Sequence, residues 1–342
     1  MIISPNNVPQ TDTHTDRLSS IQFYLAPMEE ITGYVYRNVH RDLFGDIDKY
    51  FTPFVTPTQK KVLKRKEQKE VDPANNRNMN VVPQILTNQS SQLIDTALYL
   101  YELGYREVNL NLGCPSATVV PKHKGAGFLS DLNKLNVFFD EVFSDPLFGN
   151  DVMRLSVKTR LGLISADEFP DILEIYNRYP LSEVIIHPRV RSDYYKNQVN
   201  LMAFSEALET CVHPICYNGD LFDFNDIMSF TSGFSSVSRI MLGRGVVANP
   251  GLIREIRTGK KIGRDELFAY EKALYEGYIE SYGDANNAVY KMKEVWFYLS
   301  RMFDQPEKVL KKICKTKHPA AYRAVVEELA GQPKSESRGQ VS

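Results

Sequence analysis

Cys114 is the first candidate for chemistry in this chain, because of where it stands. It follows the strand-like run Val108–Leu112 in the segment VNLNLGCP, and the glycine-containing loop SATVVPKHKGAGFL comes next. Parallel α/β proteins present reactive groups at the carboxyl ends of their strands. A thiol there can act as a nucleophile or a proton donor, because its pKa is close enough to neutral to be tuned. A single cysteine is also a common small buried residue, so position alone leaves a structural role open.

Polar or glycine-containing groups follow seven of the eight strand-like runs in the chain. They are Ala26-Pro27-Met28, Gln84, Asn111 with Cys114, Lys158 with Arg160, His187 with Arg189 and Arg191, Asn218-Gly219-Asp220, and Gly243-Arg244-Gly245. A single histidine or lysine at a strand end is usually structural. A set that converges on one mouth favours a binding site instead.

This set has the composition expected around flavin mononucleotide (FMN). The NGD and GRG segments, 218–220 and 243–245, supply backbone N–H groups and an arginine where barrels often bind phosphate. Gln84 and Asn111 suit hydrogen bonding to a polar heterocycle, and Lys158 would stabilise negative charge on its reduced form. Histidine and carboxylate ligands do not cluster, so we expect no metal.

Eight strand-helix units are needed to bring these groups together. Strand-like runs occur at 21–25, 49–55, 80–86, 108–112, 154–159, 183–187, 214–218 and 237–242. Helical patterns separate them, at 33–44, 89–103, 132–143, 168–179, 200–211, 222–231 and 250–256, with the basic run KKVLKRKEQKE read as a solvated helix face. This alternation predicts a parallel α/β sheet, closed as a (β/α)8 TIM barrel. An open doubly wound sheet is the alternative, although no GxGxxG follows an early strand.

The chain divides into four predicted regions. These are a poorly ordered leader (1–19), the barrel with its FMN site (20–257), a small C-terminal helical bundle (258–330) and a disordered tail (331–342). Between Lys308 and Arg323 the bundle has six Lys or Arg and no acidic residue, with Lys311 and Lys315 on one helical face. That asymmetry favours a phosphate-backbone patch, and a merely solvated helix end is the alternative.

Composition sets wider limits. Of 342 residues, 43% are hydrophobic and 24% charged, as in an ordinary soluble protein, and no apolar run reaches membrane-spanning length. The four cysteines lack CxxC spacing, which argues against structural zinc or disulfides and fits a reducing, cytoplasmic setting. The net charge of -1 gives no global attraction to nucleic acid, so binding would depend on local patches. Nothing in the sequence requires more than a monomer.

Taken together, the motifs resemble the tRNA-dihydrouridine synthases, a flavin-dependent family. The matching segments, in family order, are APM (26–28), VPQILTN (82–88), NLGCP (111–115), KHKGAGFL (122–129), VKTRLG (157–162), IHPRVR (186–191), NGD (218–220) and LGRG (242–245). The resemblance covers residues 23–320, since KMKEVWFYL in the helical end also matches. The combination of NLGCP, VKTRLG and NGD is specific, whereas one segment alone would be weak.

The resemblance implies a flavin-binding barrel followed by a helical tRNA-binding domain. It implies NADPH-dependent, FMN-mediated reduction of the C5–C6 double bond of uridine, with hydride reaching C6 and Cys114 protonating C5. Residues matching flavin-contacting positions are Pro27, Met28, Gln84, Lys158, His187, Asn218, Gly219, Asp220, Gly243 and Arg244. Asn111 and Arg189 would lie near the uracil. Pro188 replaces the family's usual glycine and has no N–H to donate.

A base stacked in RNA must be turned out to reach a barrel mouth, and RNA recognised by shape needs phosphate contacts. Lys122 and Lys124, in the loop after the cysteine, are predicted to neutralise phosphates beside the target nucleotide. Lys311 and Lys315 are predicted to contact tRNA further away. Which uridine is reduced depends on how the helical domain orients the whole tRNA, which the sequence does not show.

Three other functions compete with this reading. An FMN-dependent dehydrogenase of a free pyrimidine, of the dihydroorotate or dihydropyrimidine type, would share the barrel, the flavin and in some cases the cysteine. It would not need a basic helical domain. A non-catalytic RNA-binding protein would not need Cys114, Lys158 and His187 together. A flavin-free phosphate-binding isomerase comes last, because no carboxylate pair occupies the strand ends.

Overall fold

The computed structural model describes residues 18, 20–58 and 62–331. The leader predicted over 1–19 and the tail predicted over 331–342 lie outside the described residues, apart from Leu18 and Gly331. Within the described ranges, no helix has both the length and the apolar character needed to cross a membrane.

The described residues contain one sheet of nine parallel strands. The strands are β1 (Gln22–Leu25), β2 (Lys49–Phe51), β3 (Val81–Val82), β4 (Gln84–Ile85), β5 (Glu107–Leu112), β6 (Arg154–Arg160), β7 (Glu183–His187), β8 (Ile215–Tyr217) and β9 (Arg239–Leu242). Their order is β3-β2-β1-β9-β8-β7-β6-β5-β4, so β3 and β4 are the two ends of the sheet. Because only Pro83 separates β3 from β4, the chain itself joins these ends and the sheet curls into a barrel.

Pro83 explains why the strand predicted over 80–86 appears as two. Proline has no N–H to donate, so it interrupts the hydrogen-bond ladder. Before it, Val82 pairs with Phe51 of β2; after it, Gln84 pairs with Asn109 of β5. The nine segments therefore correspond to the eight predicted strands, and the predicted TIM barrel is confirmed.

Helices follow the strands in the predicted alternation. Those of the barrel are α1 (Tyr34–Leu43), α2 (Arg65–Val71), α3 (Ser90–Glu102), α4 (Leu132–Ser144), α5 (Pro146–Gly149), α6 (Phe169–Asn177), α7 (Leu201–Thr210), α8 (Phe224–Gly233), α9 (Arg244–Ala248) and α10 (Leu252–Thr258). The basic run contributes α2, and the side chains of Arg65, Lys66 and Lys69 on this helix are exposed, as predicted for a solvated helix face.

Four further helices form the predicted C-terminal bundle. They are α11 (Arg264–Tyr282), α12 (Ala285–Leu299), α13 (Pro306–Lys315) and α14 (Pro319–Gly331). The bundle packs on the barrel through α1, where the ring of Tyr270 meets Tyr36 edge-on at 6.2 Å and Phe44 at 5.5 Å. Within the bundle, Trp296 Nε1 donates to Tyr322 Oη at 2.9 Å. This hydrogen bond joins α12 to α14 within the bundle.

The barrel interior has an apolar half and a polar half. The apolar half is a cluster of Tyr24, Ala26, Phe51, Val82, Ile185, Cys216 and Met241. The polar half comes from β4, β5 and β6, whose side chains Gln84, Asn109, Asn111 and Ser156 hydrogen-bond to one another. This polar half leads towards Cys114, directly after β5.

Candidate active site

Cys114 is held on both sides by the chain around it. On the strand side, Asn111 Oδ1 accepts from the backbone N–H groups of Gly113 (3.1 Å) and Cys114 (2.9 Å). On the loop side, Ala126 N–H donates to Cys114 O at 3.1 Å. Gly125 has φ +56°, and a Cβ there would lie 2.9 Å from Cys114 Cβ, so only glycine fits. The turn therefore presents a half-buried thiol at a fixed place.

The environment of Cys114 favours a protonated thiol. Burial raises its pKa, and the negative charge of Glu29 raises it further, whereas the charges of Arg160 and Lys158 lower it. Burial is the largest of these effects, so the pKa stays above its ordinary value. A thiol that keeps its proton at neutral pH is suited to donating it.

Lys158 on β6 lines the cavity at the barrel mouth, and its charge acts on Cys114. Its neighbours in register are Asn111 on β5 and Ile185 on β7. Burial, then the charge of Arg160, lowers the pKa of Lys158 to about 8. Within the described residues, its Nζ makes no hydrogen bond or ion pair. A partly buried ammonium without such a partner would be stabilised by a ligand that is anionic or that accepts a hydrogen bond.

His187 and Arg189 are packed together at the end of β7. Burial, followed by the charges of Arg160, Lys158, Arg189 and Arg244, holds the pKa of His187 well below its usual range, so the ring is neutral. A ring nitrogen, Nε2, lies 3.0 Å from Arg189 Nη1. Arg189 is 1% exposed and pairs with Asp220 through both of its terminal nitrogens. Arg189, predicted near the uracil, is thus buried beneath the mouth.

A cavity of about 90 Å³ occupies the barrel mouth. Nine of the ten predicted cofactor residues line it: Pro27, Met28, Lys158, His187, Asn218, Gly219, Asp220, Gly243 and Arg244. The loops after β1 and β9 are in close contact there, because a Cβ on Gly243 would lie 3.2 Å from Met28 Sδ. Asp220 pairs with Arg244 as well as with Arg189. The cationic groups around the mouth therefore outnumber this one carboxylate.

Gln84, the tenth predicted cofactor residue, lies deeper in the polar half of the barrel. It is fully buried, its Nε2 donates to Asn109 Oδ1 at 2.8 Å, and its Oε1 accepts from Asn111 Nδ2 at 2.7 Å. Sequence reasoning missed Asn109. Its only signal was alternation along VNLNL, which places the side chains of Asn109 and Asn111 on one face of the strand.

Tyr195 was not predicted at the mouth, and Arg160 was named only as a polar group at the end of its strand, without a role. Tyr195 is 56% exposed, lines the cavity, and has the guanidinium groups of Arg244 at 4.8 Å and Arg160 at 5.5 Å from its ring centre. Arg160 donates to the carbonyl oxygens of Gly113, Val190 and Tyr194, each at 2.9 Å. It thus ties the loops after β5 and β7 to β6. The signal for Tyr195 was an aromatic pair in the loop after His187.

The four lysines predicted to contact tRNA all present free charges. Lys122 is exposed and Lys124 half-buried in the loop after Cys114, where burial and the charge of Lys122 lower the pKa of Lys124. Lys311 and Lys315 are exposed on α13, whose buried residues are Val309 and Ile313. In the described part of the chain, none of these four ammonium groups has an ion-pair partner.

A family model described as dihydrouridine synthase matches residues 24–338. The chain belongs to the dihydrouridine synthase family. The predicted family and enzyme class are thereby confirmed: the chain is an oxidoreductase that forms dihydrouridine. In this dihydrouridine synthase, Lys158 and His187 line the mouth cavity, whereas Cys114 lies in the turn after β5 and is not one of the lining residues.

Curated relatives agree with the family match. The tRNA-dihydrouridine(16) synthase of Haemophilus ducreyi is 27% identical over 256 residues, covering 73% of this chain and 76% of the relative. The probable tRNA-dihydrouridine synthase of Staphylococcus aureus strain COL is 28% identical over 241 residues, covering 67% and 69%. Among solved structures, a morphinone reductase variant in complex with tetrahydroNAD has a TM-score of 0.50 at 11% identity, covering 70% of this chain and 86% of that one. At that identity the likeness shows the barrel fold alone.

Proposed function

We propose that this dihydrouridine synthase reduces the C5–C6 double bond of specific uridines in tRNA, with FMN as its cofactor and NADPH as reductant. The observation that carries the proposal is the unpaired, partly buried Lys158 ammonium, which lines the mouth cavity and whose charge acts on the protonated Cys114 thiol after the neighbouring strand. The first group suits an anionic, electron-accepting ring, and the second suits proton donation to carbon. The names of the curated relatives support tRNA as the substrate.

The residues at the mouth fit FMN. When bound, FMN supplies the hydride that is added to C6 of the uracil. Arg244 and the 218–220 and 243–245 loops would hold the phosphate, while Lys158 and the neutral His187 would contact the ring. The mouth cavity of about 90 Å³ is smaller than the usual ~300–1,000 Å³ of a ligand site. Side chains that line the cavity, among them Arg244 in its ion pair with Asp220, would therefore have to rearrange when FMN binds.

Cys114 supplies the proton in this proposal. Its thiol donates to C5 of the uracil, and Asn111 orients it by accepting from the Cys114 N–H. Asn111 and Arg189 remain proposed neighbours of the uracil, although both side chains already hydrogen-bond within the protein. The raised pKa of the thiol keeps it protonated between turnovers.

Helix α12 provides a path for RNA from the basic helix α13 to the mouth. Tyr290, Lys293 and Phe297 follow helical spacing, and the two aromatic rings are 63% and 55% exposed. Lys293 Nζ donates to the carbonyl of Thr316 at the end of α13, at 2.5 Å. At the other end of α12, burial raises the pKa of Tyr298, and the positive charge of Arg244 at the mouth opposes that rise. Exposed aromatic rings beside lysines suit unpaired bases and phosphates.

The double substitution Lys311→Ala with Lys315→Ala is expected to weaken tRNA binding without affecting flavin reduction by NADPH. Each lost phosphate contact lowers the slope of log K against log salt by about 0.7–0.9, so the slope should fall by about 1.5. Titration of tRNA at several salt concentrations measures this. The matched control is Lys134→Ala with Lys272→Ala, two exposed lysines on α4 and α11. Identical salt slopes for both double variants and the parent would exclude α13 from the interface.

Anaerobic half-reactions test the proposed substrate. Protein reconstituted with FMN and bleached by NADPH should regain its yellow absorbance when mixed with dihydrouridine-free tRNA, but not with free uracil or uridine. Reoxidation by the free pyrimidines and not by tRNA would establish the small-molecule dehydrogenase instead. A colourless protein that takes up no FMN but binds tRNA would establish a non-catalytic RNA-binding role.

A further inference from the structure

A continuous chain of hydrogen bonds runs through the polar half of the barrel and ends at the turn that carries Cys114. Its upper part begins with the N–H groups of Gly113 and Cys114, which donate to Asn111 Oδ1. Asn111 Nδ2 donates to Gln84 Oε1 at 2.7 Å, and Gln84 Nε2 donates to Asn109 Oδ1 at 2.8 Å. Three side-chain amides on two neighbouring strands are thus connected in series.

The lower part of the chain ends on a carboxylate. Asn109 Nδ2 donates to Ser156 Oγ at 3.0 Å, and the Ser156 hydroxyl donates to Glu107 Oε1 at 3.2 Å. Glu107 in turn accepts from the ammonium of Lys49 at 3.1 and 3.2 Å. Asn109 and Ser156 are fully buried, and Glu107 is 8% exposed. Water therefore has little access to replace a missing partner along the chain.

The direction of this chain is forced from both ends. A backbone N–H only donates, and a carboxylate paired with an ammonium only accepts. Between these ends, reversing any amide would place two donors or two acceptors opposite each other. Every hydrogen bond consequently points from the Cys114 turn towards Glu107, and such aligned bonds strengthen one another in a low-dielectric interior. Asn109 stands in the middle, where one residue must both accept and donate.

We propose that Asn109 is a positioning residue for the reaction, one that fixes the Cys114 turn through Gln84 and Asn111. Asn109 acts only through these two residues, because it does not line the mouth cavity and does not belong to the loop after Cys114. The catalytic consequence rests on the proposed role of Cys114 as proton donor. The structural consequence, a turn held in one place, does not.

Two substitutions at Asn109 separate positioning from packing. Asn109→Leu removes both the acceptor for Gln84 and the donor to Ser156, so the amides above lose their fixed orientation. Asn109→Asp keeps an acceptor for Gln84, and because a buried carboxyl near Glu107 keeps its proton, its O–H can donate to Ser156 Oγ in place of the amide N–H. The upper part of the chain then keeps its direction. Ser156→Ala removes only the partner of Asn109 Nδ2. It replaces Asn109→Leu as the test variant if Asn109→Leu does not fold.

Alkylation of the Cys114 thiol by iodoacetamide, quantified on its peptide by mass spectrometry at one fixed pH, measures how firmly the turn is held. Asn109→Leu is expected to alkylate about fivefold faster or more, the change that follows from losing one net hydrogen bond. Asn109→Asp should stay within about twofold of the parent, and Ser156→Ala should fall between them. The control is Tyr176→Phe, which removes a buried hydrogen bond of 3.0 Å to Thr159 on the outer side of β6.

Steady-state kinetics supply the second readout. Asn109→Leu is expected to lower kcat for dihydrouridine formation while leaving the KM for tRNA unchanged, and Asn109→Asp to restore kcat. A parent protein that forms no dihydrouridine would refute the proposed function, whereas alkylation needs neither tRNA nor flavin and still tests Asn109. Parent-like alkylation in both Asn109→Leu and Ser156→Ala overturns the inference.

Discussion

Replacing Cys114 with alanine is expected to lower dihydrouridine formation by about 10²–10⁴-fold, the usual effect of losing a general acid. NADPH should still reduce the flavin at the parent rate, because the thiol has no part in that half-reaction. The physical basis is the protonated state of Cys114, whose pKa is raised by burial. Nucleoside mass spectrometry measures the product, and loss of flavin absorbance measures the reductive half-reaction.

Cys211→Ala is the matched control for that experiment. Cys211 is also a half-buried free thiol, and burial raises its pKa as well, but it lies at the end of α7. Both half-reactions should be unchanged in this variant. An equal loss of both half-reactions in Cys114→Ala would show that Cys114 is a structural residue rather than the proton donor.

Replacing Lys158 with methionine is expected to have two opposite effects, on cofactor binding and on stability. The affinity for FMN should fall by about 10–100-fold, the range for a lost hydrogen bond from a charged group. The flavin-free protein should become more stable at neutral pH, because the variant no longer places an unpaired charge in a partly buried position. A gain in stability with a loss in binding is typical of a residue retained for function.

The pH dependence of this stability gain follows from the pKa of Lys158. It is about 8 in the folded protein and near 10.5 for an unperturbed lysine. Between these values the unfolded chain binds more protons, so the stability of the parent rises with pH across this window. Below about pH 8 the parent carries the full free-energy cost of burying the charged lysine. Lys158→Met should recover on the order of 1–3 kcal/mol of unfolding free energy there. The gain should vanish above about pH 10.5.

Urea unfolding of the flavin-free proteins and fluorescence titration with FMN measure the two effects. The control is Lys134→Met, since this exposed lysine on α4 pairs with Asp131 away from the mouth and should change neither quantity. Lower stability together with parent-like FMN affinity in Lys158→Met would contradict the assigned role of Lys158.

The barrel and the members of its mouth were predictable from sequence because both follow from local patterns. Alternation of short apolar runs with helical periods specifies the strands, and the carboxyl ends of parallel strands meet at one rim. Cys114 and Lys158 lie near each other because Asn111 and Lys158 are direct partners in the β5–β6 register. Predicting that these two residues lie near each other needed only the correct order of the strands.

The deeper features depended on register and on long-range packing, which local patterns do not specify. Gln84 was expected at the mouth but lies within the amide chain, because Pro83 ends β3 and lets β4 pair with β5. Arg189 was expected near the uracil, and its buried ion pair with Asp220 joins loops that are far apart in sequence. Tyr195 joined the mouth only because the loop after β7 folds back over it.

The formation of dihydrouridine in tRNA is the measurement that tests the proposed function most directly. Purified protein should be incubated with FMN, NADPH and dihydrouridine-free tRNA, and the nucleosides then analysed by mass spectrometry. The proposal predicts dihydrouridine at defined positions, dependent on both FMN and NADPH and lost in Cys114→Ala. A flavin-loaded protein that oxidises NADPH but leaves every tRNA uridine unreduced would contradict it.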